Sequence, residues 1–127
     1  MSIFKNIFNT SNQAEKVETT NVHWIPLTSL EQIEELIKQS VSESILIFKH
    51  STRCGISRMV IKSFEKQFDV SMRGQKVYYL DLLNYREVSD EVGYRFQVLH
   101  ESPQLLVIKN GIAVAHASHY DILGLRY

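Results

Sequence analysis

SILIFKHSTRCGIS, Ser44 to Ser57, runs from an unbroken β-rich segment straight into the only cysteine of the chain. Ile45, Leu46, Ile47 and Phe48 are consecutive apolar residues without polar alternation, the pattern of a central strand buried on both faces. Beyond the cysteine, Ile56, Val60, Ile61, Phe64 and Phe68 recur at helical spacing. The stretch therefore predicts a buried strand over 44–49, a polar turn through Ser51-Thr52-Arg53, and a helix that begins at Cys54. A strand covered on both faces requires helices above and below it, so this unit sets the fold class.

The flanking sequence supplies the other layers. Val22 to Pro26 is a short strand candidate holding the single tryptophan, Trp24. Thr28 or Ser29 can cap a helix with Glu31 and Gln32 in its first turn and Leu30, Ile33, Leu36 and Ile37 on one face. Lys76 to Leu82 is a third strand. Ser89, Asp90 and Glu91 are expected to open a helix that carries Val92 and Phe96 inward and stops near Val98. Gln104 to Lys109 is a fourth strand, and Asn110-Gly111 is a type I′ hairpin signal that folds Ile112 to Ala115 back beside it. His119 to Tyr127 is expected to close the domain as a short helix with Ile122, Leu123 and Leu125 inward. The order β-α-β-α-β-α-β-β-α predicts parallel crossovers followed by an antiparallel pair. The expected fold is a three-layer α/β/α domain over 22–127 with a mixed sheet of about five strands.

Residues 1–21 read as a flexible arm, with Ile3, Phe4, Ile7 and Phe8 followed by a polar run without a usable period. The chain of 127 residues has 14 basic and 14 acidic side chains and no net charge, so no global field favours nucleic acid. The longest apolar runs are too short to cross a bilayer, and no membrane association is expected. One cysteine among 127 residues allows no internal disulfide, in keeping with a cytoplasmic, reducing compartment.

An isolated cysteine is usually a small buried apolar residue. Three features here favour a reactive one. Cys54 falls where a helix begins, and the positive end of a helix favours a thiolate. From Glu43 to Glu65 there is no intervening acid, whereas Lys49, His50, Arg53, Arg58 and Lys62 are basic. The polar lead-in Ser51-Thr52-Arg53 does not suit a core position. Arg53 and Arg58 are the best placed of these bases, and Lys49 is expected to reach the same mouth. His50 is either a proton shuttle or simply a polar strand end, and Lys62 reads as a solvated helix face.

Ser57 lies three residues after Cys54, where a Cys-x-x-Cys turn has its resolving cysteine. A hydroxyl there can donate a hydrogen bond to the thiolate but cannot displace a disulfide. Exchange must then proceed through a mixed disulfide with an outside thiol, which excludes a self-contained dithiol oxidoreductase. Ser102-Pro103-Gln104, a proline entering a strand after a helix, resembles the cis-proline loop of thioredoxin-like proteins, which implies backbone before Pro103 held open for a ligand beside the sulfur. His116 and His119 are not read as a metal site, and no glycine-rich phosphate loop is present.

A cysteine turn between a central strand and a helix, followed by a proline loop and a hairpin, resembles the thioredoxin arrangement. Phe48-Lys49-His50-Ser51, Cys54-Gly55-Ile56-Ser57, Glu101-Ser102-Pro103-Gln104 and Lys109-Asn110-Gly111 are together similar to the single-cysteine bacilliredoxins. That resemblance implies removal of bacillithiol from protein mixed disulfides. Cys54 and Ser57 would be the catalytic pair, and Arg53, Arg58, Lys49, Ser102 and Pro103 would bind substrate. The implied partners are S-bacillithiolated proteins, bacillithiol itself as co-substrate, and a flavin- and NADPH-dependent bacillithiol disulfide reductase, with no tightly bound cofactor. Two alternatives stay open. Cys-Gly-Ile-Ser is one residue from the Cys-Gly-Phe-Ser turn of single-cysteine glutaredoxins, which hold a [2Fe–2S] cluster with a small thiol. A non-catalytic thioredoxin-like stress protein, with Cys54 only as a protective modification site, is the other.

Overall fold

In the computed structural model, which describes residues 20–127, the elements are β1 (Trp24–Pro26), α1 (Leu30–Gln39), β2 (Ile45–His50), α2 (Gly55–Gln67), β3 (Lys76–Asp81), α3 (Arg86–Phe96), β4 (Gln104–Lys109) and β5 (Ile112–Ser118). Short 3-10 turns cover Val70–Met72 and His119–Gly124. The expected arm lies outside the described residues except for its last two positions. Of those, Asn21 is tied down by donating to the Phe68 carbonyl at 2.9 Å and accepting from Arg73 Nε at 2.9 Å.

The five strands form one mixed sheet in the order β1-β3-β2-β4-β5. β1 and β2 run parallel to β3, whereas β4 is antiparallel to both β2 and β5. All six residues of β2 are buried, as the apolar run requires of a central strand. Successive side chains point to opposite faces, so β2 serves two cores. Ile45 and Ile47 pack with Ile33, Leu36, Val88, Val92 and Phe96 from α1 and α3. Leu46 and Phe48 pack with Val60, Phe64 and Phe68 of α2 and the segment following it. The fold is thus an α/β/α sandwich of thioredoxin type.

Local chemistry explains most element ends. Ser29 caps α1 in a capping box, its hydroxyl accepting from the Gln32 N–H while Gln32 Oε1 accepts from the Ser29 N–H. Asn110 (φ 52°) and Gly111 (φ 77°) supply the two positive φ values of the β4–β5 hairpin. Under the sheet, Phe48, Phe64 and Trp24 form a cluster with ring centroids 5.1–5.8 Å apart. Burying the Phe48 and Phe64 rings contributes roughly 1.5–3 kcal/mol each, which anchors α2 and so the cysteine at its head.

Four expectations need correction. Helix α3 starts at Arg86, not at Ser89, because Asp81 organises the preceding turn. Its carboxylate accepts from Asn84 Nδ2 at 2.8 Å, and its carbonyl accepts from the Tyr85 N–H at 3.0 Å. Ser89 is consequently inside the helix and buried. The helix-separated pair β3 and β4 is antiparallel, not a parallel crossover. Arg86 starts α3 near the C-terminal end of β3, and the chain returns to that same end, where Gln104 pairs with Lys49. Strand β5 runs on to Ser118, three residues past the expected limit, because its pairing with β4 continues to Gln104↔Ser118 across a bulge at Val107/Ile108. The closing helix is a 3-10 turn ending at Gly124, with Ile122 as its buried residue.

Candidate functional site

Cys54 is the N-cap of α2, extended at φ −100° and ψ 123°, with its side chain half-buried. Its backbone closes both sides of the turn: its N–H donates to Ser51 O at 3.2 Å and its carbonyl accepts from the Arg58 N–H at 3.0 Å. No acidic residue sits in the first helical turn. The free N–H groups of that turn and the positive end of the helix dipole therefore lie at the cysteine's end of α2 without a competing anion in the turn.

The two arginines take different positions. Arg58 Nη1 donates to the Thr52 carbonyl at 3.1 Å, folding the guanidinium back over the cysteine turn and bracing it. Arg53 is exposed and lines a polar cavity of about 380 Å³ together with Thr52, Leu83, Asn84 and Arg86. Leu83 and Asn84 come from the β3–α3 turn and Arg86 from the first position of α3, about thirty residues away in sequence. Nothing local in that segment signals a role at the cysteine.

Lys49 is not at the mouth. It is fully buried on the α1/α3 face of the sheet, opposite to the face that carries His50. Its Nζ donates to the Ser89 carbonyl at 3.2 Å and lies 3.3 Å from His100 Nδ1. Burial pushes the ammonium down to about 8, with Asp90 opposing part of that effect. The strand alternation explains the miss. Residues 49 and 50 point to opposite faces, so both could not serve one mouth.

His50 takes the α2 face instead. It is buried, and its Nδ1 lies 2.8 Å from Ser57 Oγ. Ser57 is fully buried, and its hydroxyl also accepts from the Ser51 N–H at 3.1 Å. Among the described residues the Ser57 hydroxyl thus bonds to His50 and Ser51 and not to the sulfur. The hydroxyl at this position ties strand, turn and helix together beneath Cys54. Burial holds His50 below the ordinary histidine range, Asp81 opposes this, and the charge of Arg58 reinforces it. His50 is accordingly neutral near pH 7.

The proline loop meets the cysteine turn through the sheet. Lys49 pairs with Gln104, and one step further along the antiparallel register brings Pro103 opposite His50. The Ser102-Pro103 peptide is cis. The Pro103 carbonyl accepts from the His119 N–H at 2.9 Å, whereas the Ser102 backbone makes no backbone hydrogen bond among the described residues. Ser102 Oγ is buried and has no partner there either. The arrangement places one thiol at a helix start and, where β4 enters the sheet beside β2, a main-chain segment without backbone partners among the described residues. It suits attack on a disulfide followed by release to an external thiol.

Known proteins match this chain on both counts. A family model described as "Monothiol bacilliredoxin BrxC" matches residues 25–124. A thioredoxin-fold protein to which an oxidoreductase activity is ascribed is 32% identical, with a TM-score of 0.69 over 80% of this chain and 88% of its own. Thioredoxin from Malassezia sympodialis is 24% identical, with a TM-score of 0.62 over 84% of this chain and 86% of its own. Thioredoxin from Trypanosoma brucei brucei is 16% identical, with a TM-score of 0.64 over 84% and 88%. The last two share the fold alone. Among the described residues no helix is long and apolar enough to cross a membrane. Fold, cysteine turn and family match agree on thiol redox chemistry, and the chain belongs to the monothiol bacilliredoxin BrxC family.

Proposed function

We propose that the protein is a monothiol disulfide reductase that removes bacillithiol from S-bacillithiolated proteins in the cytoplasm. The observation that carries the reading is the cysteine turn itself: the sole cysteine caps α2, and the position three residues on is a fully buried serine bonded to His50. In the first step the Cys54 thiolate attacks the bacillithiol sulfur of the mixed disulfide. A Cys54–S–S–bacillithiol bond forms, the old S–S bond breaks, and the target protein leaves as its thiolate. In the second step a bacillithiol thiolate attacks the bacillithiol sulfur held on Cys54. Bacillithiol disulfide leaves, Cys54 is restored, and a flavin- and NADPH-dependent reductase returns the disulfide to thiol. Bacillithiol is a co-substrate here, and no tightly bound cofactor takes part.

The chain's own residues divide this work. Helix α2 presents Cys54 at its N-terminal end, and Arg53 can hold an anionic group of the ligand. Arg58 and Ser57 brace the turn, and the open Ser102 backbone beside Pro103 can accept main-chain hydrogen bonds from a target peptide. The test is reduction of a bacillithiolated model protein by wild type, Cys54→Ala and Ser57→Ala, each against free bacillithiol. Wild type should exceed free bacillithiol and leave a Cys54 adduct visible by mass, and Cys54→Ala should do neither. Equal rates for wild type and free bacillithiol would reduce Cys54 to a passive modification site.

A further inference from the structure

We propose that the cavity formed by Thr52, Arg53, Asn84 and Arg86 is the subsite for the carboxylates of the small thiol carried on Cys54. The proposal rests on the reading above and adds to it the residues that select the ligand. Thr52 and Arg53 directly precede Cys54, so the cavity adjoins the cysteine turn, although Cys54 itself is not among its lining residues. Its far side is the β3–α3 turn with the start of α3, which contribute Asn84 and Arg86.

The charges point to an anion. Arg95 is paired with Glu34 and Glu91, Arg58 donates to the Thr52 carbonyl, and Arg73 donates to Asn21. Arg53 and Arg86, like Arg126 outside the cavity, have no ion pair and no side-chain hydrogen bond among the described residues. No acid lines the cavity. Asp81, the acid at the base of the β3–α3 turn, has its carboxylate occupied by the backbone and side-chain N–H groups of Asn84. Glu87 follows Arg86 in sequence but is not part of the lining.

Two arginines lining one small polar cavity match two carboxylates, since each guanidinium fork can engage a carboxylate through paired N–H donors. The volume, about 380 Å³, suits the end of a small metabolite and not a protein side of ordinary interface size. A dicarboxylate-ended thiol such as bacillithiol, whose malate bears both carboxylates, fits. A thiol without carboxylates gains nothing from the cavity. Thr52 and Asn84 offer further polar groups at its rim.

The same carboxylate could come from the small thiol or from an acidic residue of the target protein, and the assay separates the two. One target protein is capped on its cysteine with bacillithiol or with cysteamine, and reduction is followed with wild type and Arg86→Gln. The variant should raise KM for the bacillithiol-capped target about tenfold and leave the cysteamine-capped target within about twofold. An equal loss on both caps would assign the arginine to the target protein or to general support, and an unchanged KM on both would remove it from the site; either overturns the proposal. Direct binding of unreactive S-methyl bacillithiol, followed by amide shifts of labelled protein, provides a readout independent of turnover. Perturbation at Asn84 and Arg86, lost in Arg86→Gln, upholds the subsite even if wild type proves no faster than free bacillithiol. Saturation without shifts there would overturn it.

Discussion

Replacing Lys49 by methionine should change how stability responds to alkaline pH and leave substrate binding alone. The ammonium is fully buried and is pushed from 10.5 down to about 8 by loss of solvent. Below pH 8 the folded and unfolded chains both carry the proton, and the fold bears the whole cost of burying the charge. Between about pH 8 and 10.5 the folded chain has released its proton and the unfolded chain has not. Stability therefore rises through that window. At about 1.4 kcal/mol per pH unit, the gain is roughly 3 kcal/mol across it. Lys49→Met abolishes this dependence. It also leaves the Ser89 carbonyl without the Lys49 donor, a loss that displaces the curve without tilting it. Tyr78, Tyr79 and Tyr127 are held above 10.0 by burial and erode stability at still higher pH, equally in both proteins. Urea unfolding followed by Trp24 fluorescence from pH 7 to 10 under reducing conditions provides the comparison. The gap between wild type and variant should shift by more than about 2 kcal/mol in favour of wild type. Parallel curves would show that the ammonium is not desolvated in the fold. De-bacillithiolation KM should be unchanged at pH 7, because Nζ faces Ser89 and His100.

Other perturbations probe the site itself. His50 is held below the ordinary value of 6.5 chiefly by burial, so the unfolded chain takes up protons first as pH falls. Wild type should lose stability below about pH 6.5, and His50→Gln should flatten that loss in thermal melts between pH 7 and 5. Ser57→Ala leaves the Ser51 N–H and His50 Nδ1 without their shared partner. It should destabilise the fold by about 1–3 kcal/mol and slow, without abolishing, transfer to Cys54, as read by denaturation midpoints and initial rates. Arg53→Glu places an acid in the cavity beside Cys54. It should raise KM for a bacillithiolated substrate by an order of magnitude or more with an unchanged melting temperature, and an unaltered KM would exclude Arg53 from ligand binding.

How much of this was legible before the structure follows the range of the forces involved. The turn pair Asn110-Gly111, the Ser29 cap and the buried run Ile45–Phe48 each carry their signal within a few residues, and each forms the element expected. The start of α3 did not, because Asp81 sets that turn from outside the helix and no residue at 86 advertises a cap. The direction of β4 also escaped. Helix-separated strands usually run parallel, and only the packing of α3 decides at which end of the sheet the chain returns. At the site, the position of Cys54 at a helix start could be read from sequence. The partner of Ser57 could not, since a hydroxyl three residues from a thiol can face the sulfur or the strand beneath it.

The sequence by itself determined a single thiol at the head of a helix, a serine where a resolving cysteine would stand, and a mixed sheet buried on both faces. These are matters of residue type and short spacing, which local sterics and hydrophobic periodicity dictate. Only the tertiary structure decided which bases share the cysteine's surroundings. Adjacent strand residues point to opposite faces, so Lys49 is buried beneath α3 while His50 lies beneath Cys54. By the same logic Arg86, distant in the chain, comes to share a cavity with Arg53 because β3 lies next to β2.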